Sequence, residues 1–194
     1  MGIAEITGSA KYPMQTDFKR WMRIAETAGG DSRLLFHGTS IINAASIMAR
    51  KYLKSDASHG DRLGVSFTRS ERLGWDFASI AEARECQFDY DRKPHGRPSM
   101  KGALLTFDAH KMRTALGKRL APYVWNERDG VDDEEEERFH GDGLDIASFV
   151  QSVRAAPQDI TWWAHTIPEL TNTYQAAFAK SVAALAHNPM FRPI

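Results

Sequence analysis

Cysteine is scarce in this sequence, and its scarcity excludes two kinds of cross-link. Cys86 is the only cysteine among 194 residues. One thiol cannot close a disulfide within the chain and cannot build a cysteine-based zinc cluster. Neither sign of charge is in excess, because Lys plus Arg and Asp plus Glu both number 25. A balanced chain is not a general nucleic-acid binder held by a basic surface, although a local basic patch stays open as a binding site.

Long hydrophobic runs are also missing. No stretch approaches the ~18 apolar residues that a membrane helix requires. Residues 1–7 contain no basic region followed by an apolar segment, so no secretory signal is predicted. We therefore expect a cytoplasmic protein without membrane association. The length predicts one domain over residues 1–194, with its core at about 33–165 and with N-terminal and C-terminal helices.

The common phosphate-binding loops are absent as well. Neither G-x-G-x-x-G nor G-x-x-x-x-G-K-[ST] occurs in the chain. A bound nucleotide would therefore need another architecture. The acidic run 132–137 lacks the spaced ligands and the central glycine of an EF-hand calcium loop, so no metal is predicted.

The chain contains an irregular mixture of short strands and amphipathic helices. Apolar or alternating runs predict strands at 33–36, 64–70, 102–108 and 160–164. Apolar residues at helical spacing predict helices at 18–25, 41–53, 71–90, 109–120, 146–153 and 170–185. The expected buried faces include Tyr52 in the second helix and Leu73, Phe77 and Ile80 in the third. Because strands and helices do not alternate regularly, the pattern favours an α+β fold over a doubly wound α/β fold.

The stretch 34–40 ends an apolar run in His37, Gly38, Thr39 and Ser40, directly before a predicted helix. Glycine at a strand end lets a flat ligand approach the backbone, whose N–H and C=O can pair with an amide. His37 can donate to or accept from a ribose hydroxyl, and Thr39 adds a second short-range contact. The alternative is a structural motif in which His37 bonds the backbone beside a turn glycine and a helix cap.

The segment 64–70 is a second glycine-led strand, and it carries polar side chains. Ser66 can bond a carboxamide, and Phe67 can stack on a heteroaromatic ring. Arg69 can bind a diphosphate through two nitrogens. The alternative interpretation is a hydroxyl-rich edge strand without a ligand.

Six consecutive carboxylates at 132–137 form the third polar feature and lead into Arg138, Phe139 and His140. Such a run is usually a solvated loop. Its last members, Glu136 and Glu137, are expected at the start of a strand. A carboxylate there can hydrogen-bond a ribose hydroxyl and stabilise a positively charged sugar carbon. Because consecutive strand residues face opposite sides, only one of the two can point toward such a ligand.

The order of these three motifs resembles the ADP-ribosyltransferase fold, closest to the branch of the poly-ADP-ribose polymerases and the diphtheria-type toxins. It is also similar to short ADP-ribosyltransferase-like domains associated with phages and defence systems, in which a segment like Glu-x-Glu-Glu-Arg precedes the last third. The likeness covers roughly residues 34–153. It implies an α+β fold with a split β-sheet core and flanking helices, and NAD as co-substrate.

The resemblance implies a role for each residue of the first motif. His37 corresponds to the family histidine that contacts the adenine-side ribose of NAD, and it is expected to serve catalysis. Gly38 corresponds to the glycine whose backbone holds the nicotinamide carboxamide. Thr39 completes the motif.

The other two motifs also match family positions, with one departure. Ser66 stands where the polymerase branch has a tyrosine, and Phe67 behind it is a candidate for stacking on the nicotinamide. The catalytic glutamate is expected to be Glu136 or Glu137, which lead into the next strand as the family glutamate does. Arg69 is expected beside the diphosphate of the bound dinucleotide.

The implied activity is transfer of ADP-ribose from NAD to a macromolecular acceptor, a protein or a nucleic acid, with release of nicotinamide. Family habit further implies a toxin or a phage-defence effector with an antitoxin as partner. Three alternatives stay open. These are an NAD glycohydrolase, an RNA 2′-phosphotransferase-like enzyme that uses basic residues in place of the glutamate, and a non-catalytic nucleotide-binding module in which His37 is structural.

Overall fold

The computed structural model describes residues 33–55, 64–85, 101–122, 136–155 and 172–194. Over these ranges the chain is a mixed α+β fold with a mostly antiparallel sheet and four α-helices, so the predicted α+β class is confirmed. The strands are β1 Leu34–Thr39, β2 Tyr52–Lys54, β3 Gly64–Thr68, β4 Ala103–Asp108, β5 Leu120–Pro122, β6 Glu136–His140, β7 Gly143–Asp145, β8 Val150–Ala155 and β9 Phe191–Pro193. The helices are α1 Ile41–Arg50, α2 Glu71–Glu85, α3 Ala109–Leu116 and α4 Asn172–Ala186.

Seven strands form one sheet in the order β5-β6-β3-β1-β4-β8-β9, and β2 pairs with β7 in a second sheet. β3 is antiparallel to both β1 and β6, whereas β8 and β9 are parallel. Contacts group the chain into two compact units. Unit 1 comprises 33–36, 52–55, 64–73, 107–122 and 136–150, and unit 2 comprises 37–51, 74–85, 101–106, 151–155 and 172–194. The single domain expected over 1–194 stays a prediction.

The helix α1 begins where the sequence predicts but ends three residues earlier. Ser40 caps it, because the Ser40 hydroxyl accepts from the Asn43 backbone N–H at 3.1 Å. Lys51 then takes a left-handed conformation with φ of 54°, which ends the helix. Tyr52 was predicted on the buried helical face, and this is wrong: it lies in β2 and is 42% exposed.

The helix α2 is confirmed over Glu71–Glu85, but the predicted buried face is wrong. Phe77 is exposed, and Leu73 and Ile80 are only half-buried. The buried residues are Gly74, Ala78, Glu82 and Ala83. The first three follow each other at a spacing of four, so they form one stripe along the helix. The helix turns its small residues inward because another backbone segment approaches it closely there.

The helix α3 is shorter than predicted. The Asp108 carboxylate caps its start by accepting from the Lys111 backbone N–H at 2.9 Å. The helix ends at Leu116, because Gly117 takes φ of 54°, and a short 3₁₀ helix covers Gly117–Arg119. Leu120 was expected on the last helical turn. It is buried instead as the first residue of β5, opposite Phe139 of β6.

The spacing of Ile146, Phe149, Val150 and Val153 predicts a helix, and this prediction is wrong. The Ile146 carbonyl oxygen accepts from the backbone N–H groups of Phe149 and Val150, both at 3.0 Å, which closes a single turn. The chain then extends into β8, where Val153 and Ala155 are buried. A turn followed by an alternating strand reproduces helical spacing over eight residues, so periodicity alone cannot separate the two structures.

The terminal helix α4 is confirmed, with Tyr174, Phe178, Ser181 and Leu185 buried on one face. The strand β9, which follows it, has no counterpart among the predictions. The predicted helix at 18–25 and strand at 160–164 lie outside the described residues. Among the helices that the structure describes, none is long and apolar enough to cross a membrane.

Candidate active site

Two of the three motifs noted in the sequence lie on paired strands of unit 1, and the third lies in unit 2. Residues 37–39 end β1, Ser66 and Phe67 belong to β3, and Glu136 and Glu137 open β6. In the sheet, β3 lies between β1 and β6. Ser66 and Glu136, which are far apart in the chain, thus lie on adjacent antiparallel strands of unit 1.

The pairing of β3 with β6 places four buried side chains on one face. Phe67 is opposite Glu137, and Val65 is opposite Phe139. Directly opposed residues of an antiparallel pair point to the same side, so these four share a face. Phe67 is 1% exposed and meets Phe107 of β4 edge to face, with 5.3 Å between ring centroids. Phe67, predicted to stack on nicotinamide, lies in the apolar core of unit 1.

The opposite face of the same strands is polar. Ser66 is opposite Arg138, and Thr68 is opposite Glu136. Phe36 of β1 pairs with Thr68 and so joins this face. Ser66 is exposed, whereas Glu136 is buried, with 4% of its surface exposed. The Oε1 atom of Glu136 lies 3.9 Å from Nε of Arg138, an ion-pair distance beyond hydrogen-bond length.

Glu137 is held by two arginines from different elements. Arg69, just after β3, donates from Nε at 2.8 Å and from Nη2 at 2.7 Å to Glu137 Oε1. Arg113 of α3 donates from Nη2 to Oε1 at 2.6 Å and from Nε to Oε2 at 3.2 Å. Glu137 is 2% exposed, Arg69 0%, and the Arg113 side chain 27%. Both carboxylate oxygens therefore accept hydrogen bonds from guanidinium groups within unit 1.

This arrangement ties three elements of unit 1 together. The Glu137 carboxylate on β6 lies between two guanidinium groups, that of Arg69 after β3 and that of Arg113 on α3. Its single negative charge neutralises one of their two positive charges. Buried charges persist only when they are paired and hydrogen-bonded, and the four donated bonds meet that requirement for Glu137. Arg69, predicted to bind a diphosphate, has its Nε and Nη2 atoms directed at Glu137.

The His37–Thr39 segment belongs to unit 2 and packs on α2. His37 and Gly38 are half-buried, and Thr39 is buried. A Cβ atom at residue 38 would overlap the carbonyl oxygen of Gly74 and the backbone nitrogen of Ala78. Close packing against α2 is thus a sufficient reason for glycine at position 38, independently of any ligand.

The same helix supplies a carboxylate to the start of α1. The Ile41 backbone N–H donates to Glu82 Oε2 at 2.6 Å, and the Tyr174 hydroxyl donates to Glu82 Oε1. Burial raises the pKa of Glu82 to about 6; these two hydrogen bonds lower it, and the charge of Glu85 raises it. Burial thus moves the titration of Glu82 upward, toward neutral pH.

Three residues of these clusters were not predicted from the sequence. Arg113 has the appearance of an ordinary cation in the last turn of its helix, and Tyr174 that of a core aromatic of the terminal helix. Glu82 alone carried a signal, because Gly74 and Ala78 precede it at spacings of eight and four. Small residues in such a stripe indicate close backbone approach, and a carboxylate on the same stripe is then buried.

Within the described ranges, no three His, Cys, Asp or Glu side chains lie close enough together to hold a metal ion. Comparisons of the chain with protein-family models, with curated proteins and with solved structures found no match.

Proposed function

We propose that the protein is an NAD-dependent ADP-ribosyltransferase, which moves ADP-ribose from NAD to a macromolecular acceptor and releases nicotinamide. The observation that carries the proposal is the pairing of β3 with β6 within unit 1, which brings Ser66 onto the strand beside Glu136 and Glu137. The mixed α+β fold with its mostly antiparallel sheet is compatible with an ADP-ribosyltransferase-like core but not specific to it. The resemblance of the three motifs in this order supplies the rest of the argument.

We assign the catalytic carboxylate to Glu136. Glu137 has both oxygens occupied by Arg69 and Arg113, and it shares its face with the apolar core. Glu136 shares its face with Thr68 and with the exposed Ser66. Because Glu136 lies on the face that also carries the exposed Ser66, we assign the contact with the ligand to Glu136. Glu137 is then a positioning residue that fixes the start of β6.

The roles of the remaining residues follow from the family resemblance. Bound NAD supplies a glycosidic bond whose cleavage leaves the electron pair on nicotinamide and positive charge on the ribose carbon. Glu136 holds the neighbouring ribose hydroxyl and offsets that charge, an effect strengthened by its nearly complete burial. The acceptor atom bonds to the same carbon and gives up its proton. His37 binds the adenine-side ribose, and the Gly38 backbone, next to Thr39, binds the carboxamide.

We assign Phe67 to the core of unit 1 and Arg69 to holding Glu137. Phe67 is buried against Phe107. Arg69 donates two hydrogen bonds to Glu137. Stacking on the nicotinamide and binding of the diphosphate then need side chains other than these two.

Labelled NAD tests the proposal and the nature of the acceptor together. The purified protein is incubated with a cell lysate and with NAD labelled on the adenylate phosphate, and the lysate is then divided among RNase, DNase and protease. We expect free nicotinamide and a labelled macromolecule that one of the three treatments destroys. The variant Glu136→Gln serves as the matched control and should leave both products at background.

Other outcomes would indicate the alternative functions. Nicotinamide release without a labelled macromolecule indicates an NAD glycohydrolase. Removal of a 2′-phosphate from RNA, with release of nicotinamide but no lasting label on a macromolecule, indicates an RNA 2′-phosphotransferase. NAD binding without turnover indicates a non-catalytic module, with His37 as a binding or structural residue.

We further propose that the acceptor is an essential component of the host cell, which makes the protein a toxin or a phage-defence effector with an antitoxin as partner. Induced expression of the wild-type chain should then arrest growth, whereas Glu136→Gln at equal protein level should not. Equal growth of both strains would contradict a toxic role and leave the enzymatic proposal unaffected.

A further inference from the structure

The buried stripe of α2 runs alongside the His37–Ile41 segment. Gly74 and Glu82 lie eight positions apart, with Ala78 midway, which is about 12 Å along the helix at 1.5 Å per residue. The extended backbone from Gly38 to Ile41 spans about 10 Å. The two lengths agree, and each end of the segment contacts the matching end of the stripe. Gly38 abuts Gly74 and Ala78, and Ile41 is bonded to Glu82.

Every residue from 38 to 41 is held in this way within unit 2. A Cβ atom on Gly102, which precedes β4, would overlap the carbonyl oxygens of both Thr39 and Ala78, so three backbones converge there. The Ser40 hydroxyl donates to Glu85 Oε2 at 3.2 Å. There is therefore no room for a side chain at position 38, and the backbone at position 39 is closely packed.

Among the side chains that contact this segment, Glu82 is the fully buried carboxylate. It is 0% exposed, and it accepts the Ile41 N–H, one of the N-terminal amide groups of α1 that no helical carbonyl can satisfy. A negative charge at that position is also favoured by the helix dipole. The Tyr174 hydroxyl occupies the other oxygen and fixes the orientation of the carboxylate.

We propose that Glu82 is a positioning residue for residues 37–40, which it anchors to α2 through the Ile41 N–H while Tyr174 orients its carboxylate. The enzymatic consequence of this inference rests on the proposed function, whereas its structural consequence does not. Binding groups displaced by about 1 Å lose much of their effect, so release of Ile41 is expected to weaken NAD binding at Gly38.

Hydrogen exchange of the full-length protein tests the structural consequence without any substrate. Glu82→Ala removes the acceptor of the Ile41 amide, and we expect exchange at Ile41 and Asn43 to accelerate about tenfold or more relative to wild type. Leu185→Ala is the matched control, because Leu185 is equally buried on α4 and none of the contacts above involves it. Glu82→Gln keeps one carbonyl acceptor and should give a smaller acceleration.

Steady-state kinetics test the enzymatic consequence. In Glu82→Ala and, to a smaller degree, in Tyr174→Phe, we expect the KM for NAD to rise about tenfold with kcat changed by less than about threefold. Leu185→Ala, compared at a temperature of equal folded fraction, should leave KM unchanged. In Glu82→Gln the KM for NAD should rise less than in Glu82→Ala. A general loss of stability would not explain that difference.

The outcomes separate this inference from the proposed function. Faster exchange at Ile41 in Glu82→Ala than in Leu185→Ala, together with a raised KM, supports the positioning role. Equal exchange in the two variants, or an unchanged KM in an active enzyme, overturns it. If the wild-type protein does not turn over NAD, the proposed function fails, and the exchange comparison still decides whether Glu82 anchors the segment.

Discussion

Glu137 is the residue whose removal should disturb unit 1 most. Truncation to alanine leaves the guanidinium of Arg69, which is 0% exposed, without the carboxylate that accepts two of its N–H groups. Arg113 loses the same partner, but its side chain is 27% exposed and can turn toward water. The loss in the free energy of unfolding is therefore expected to come mainly from the one buried charge of Arg69.

The expected magnitude follows from that distinction. Removing one partner of a buried ion pair typically costs about 3–5 kcal/mol, and we predict that range for Glu137→Ala. Glu137→Gln keeps a carbonyl oxygen but loses the charge, so we predict about 2 kcal/mol. The double variant Arg69→Met/Glu137→Leu removes both buried charges and fills the space with apolar groups. It should recover most of the loss, because well-packed apolar replacements of buried ion pairs are often neutral.

Urea unfolding at pH 7, followed by far-ultraviolet circular dichroism and by tryptophan fluorescence, measures these differences. The double variant forms a cycle with the single variants Arg69→Met and Glu137→Leu, and the coupling energy of that cycle isolates the pair. A loss of stability below about 1 kcal/mol for Glu137→Ala would refute the view that the ion pairs of Glu137 with Arg69 and Arg113 hold β6 in place. A double variant as unstable as the sum of its single changes would refute it as well.

Three further predictions concern unit 2. The raised pKa of Glu82, about 6 against an ordinary 4.5, favours the protonated folded state, so its stabilising contribution is complete below pH 4.5 and is lost as the pH rises through 6. Wild type should therefore lose about 2 kcal/mol relative to Glu82→Gln between pH 4.5 and pH 7, and parallel pH profiles would contradict this. Gly38→Ala should cost about 1–3 kcal/mol in urea, because its Cβ meets the α2 backbone; a loss under about 0.5 kcal/mol would show that α2 can yield. Lys51→Gly should stabilise by about 0.5–1 kcal/mol, since glycine adopts the φ of 54° without strain, and no shift of the urea midpoint would contradict that reason.

Sequence patterns correctly predicted those strands and helices whose apolar spacing and capping residues match the structure that they adopt. The strands β3 and β4 follow from apolar and alternating residues, and α1 begins where Ser40 offers a cap. The terminal helix follows from the spacing of Tyr174, Phe178 and Leu185. In each case the pattern that forms the element also buries its apolar face, so propensity and packing give the same answer.

The errors arise where tertiary contacts override that pattern. Large apolar residues such as Phe77 are expected inward, but α2 buries Gly74 and Ala78 because the backbone at Gly38 approaches it. Arg113 reaches Glu137 from a helix 24 residues earlier in the chain, and Tyr174 reaches Glu82 across 92 residues. Periodicity contains no information on such pairs. Our proposed assignment of Glu136 over Glu137 likewise rests on the register of β6 on β3, which the sequence alone does not specify.

The most direct measurement is nicotinamide release from NAD by the wild-type protein and by Glu136→Gln, with both variants shown by urea unfolding to be folded. If Glu136 stabilises the positive charge on the ribose carbon, wild type releases nicotinamide and kcat falls about 10²–10³-fold in Glu136→Gln. Absence of release by the folded wild-type protein, or release by Glu136→Gln at the wild-type rate, would contradict the assignment of Glu136 as the catalytic carboxylate.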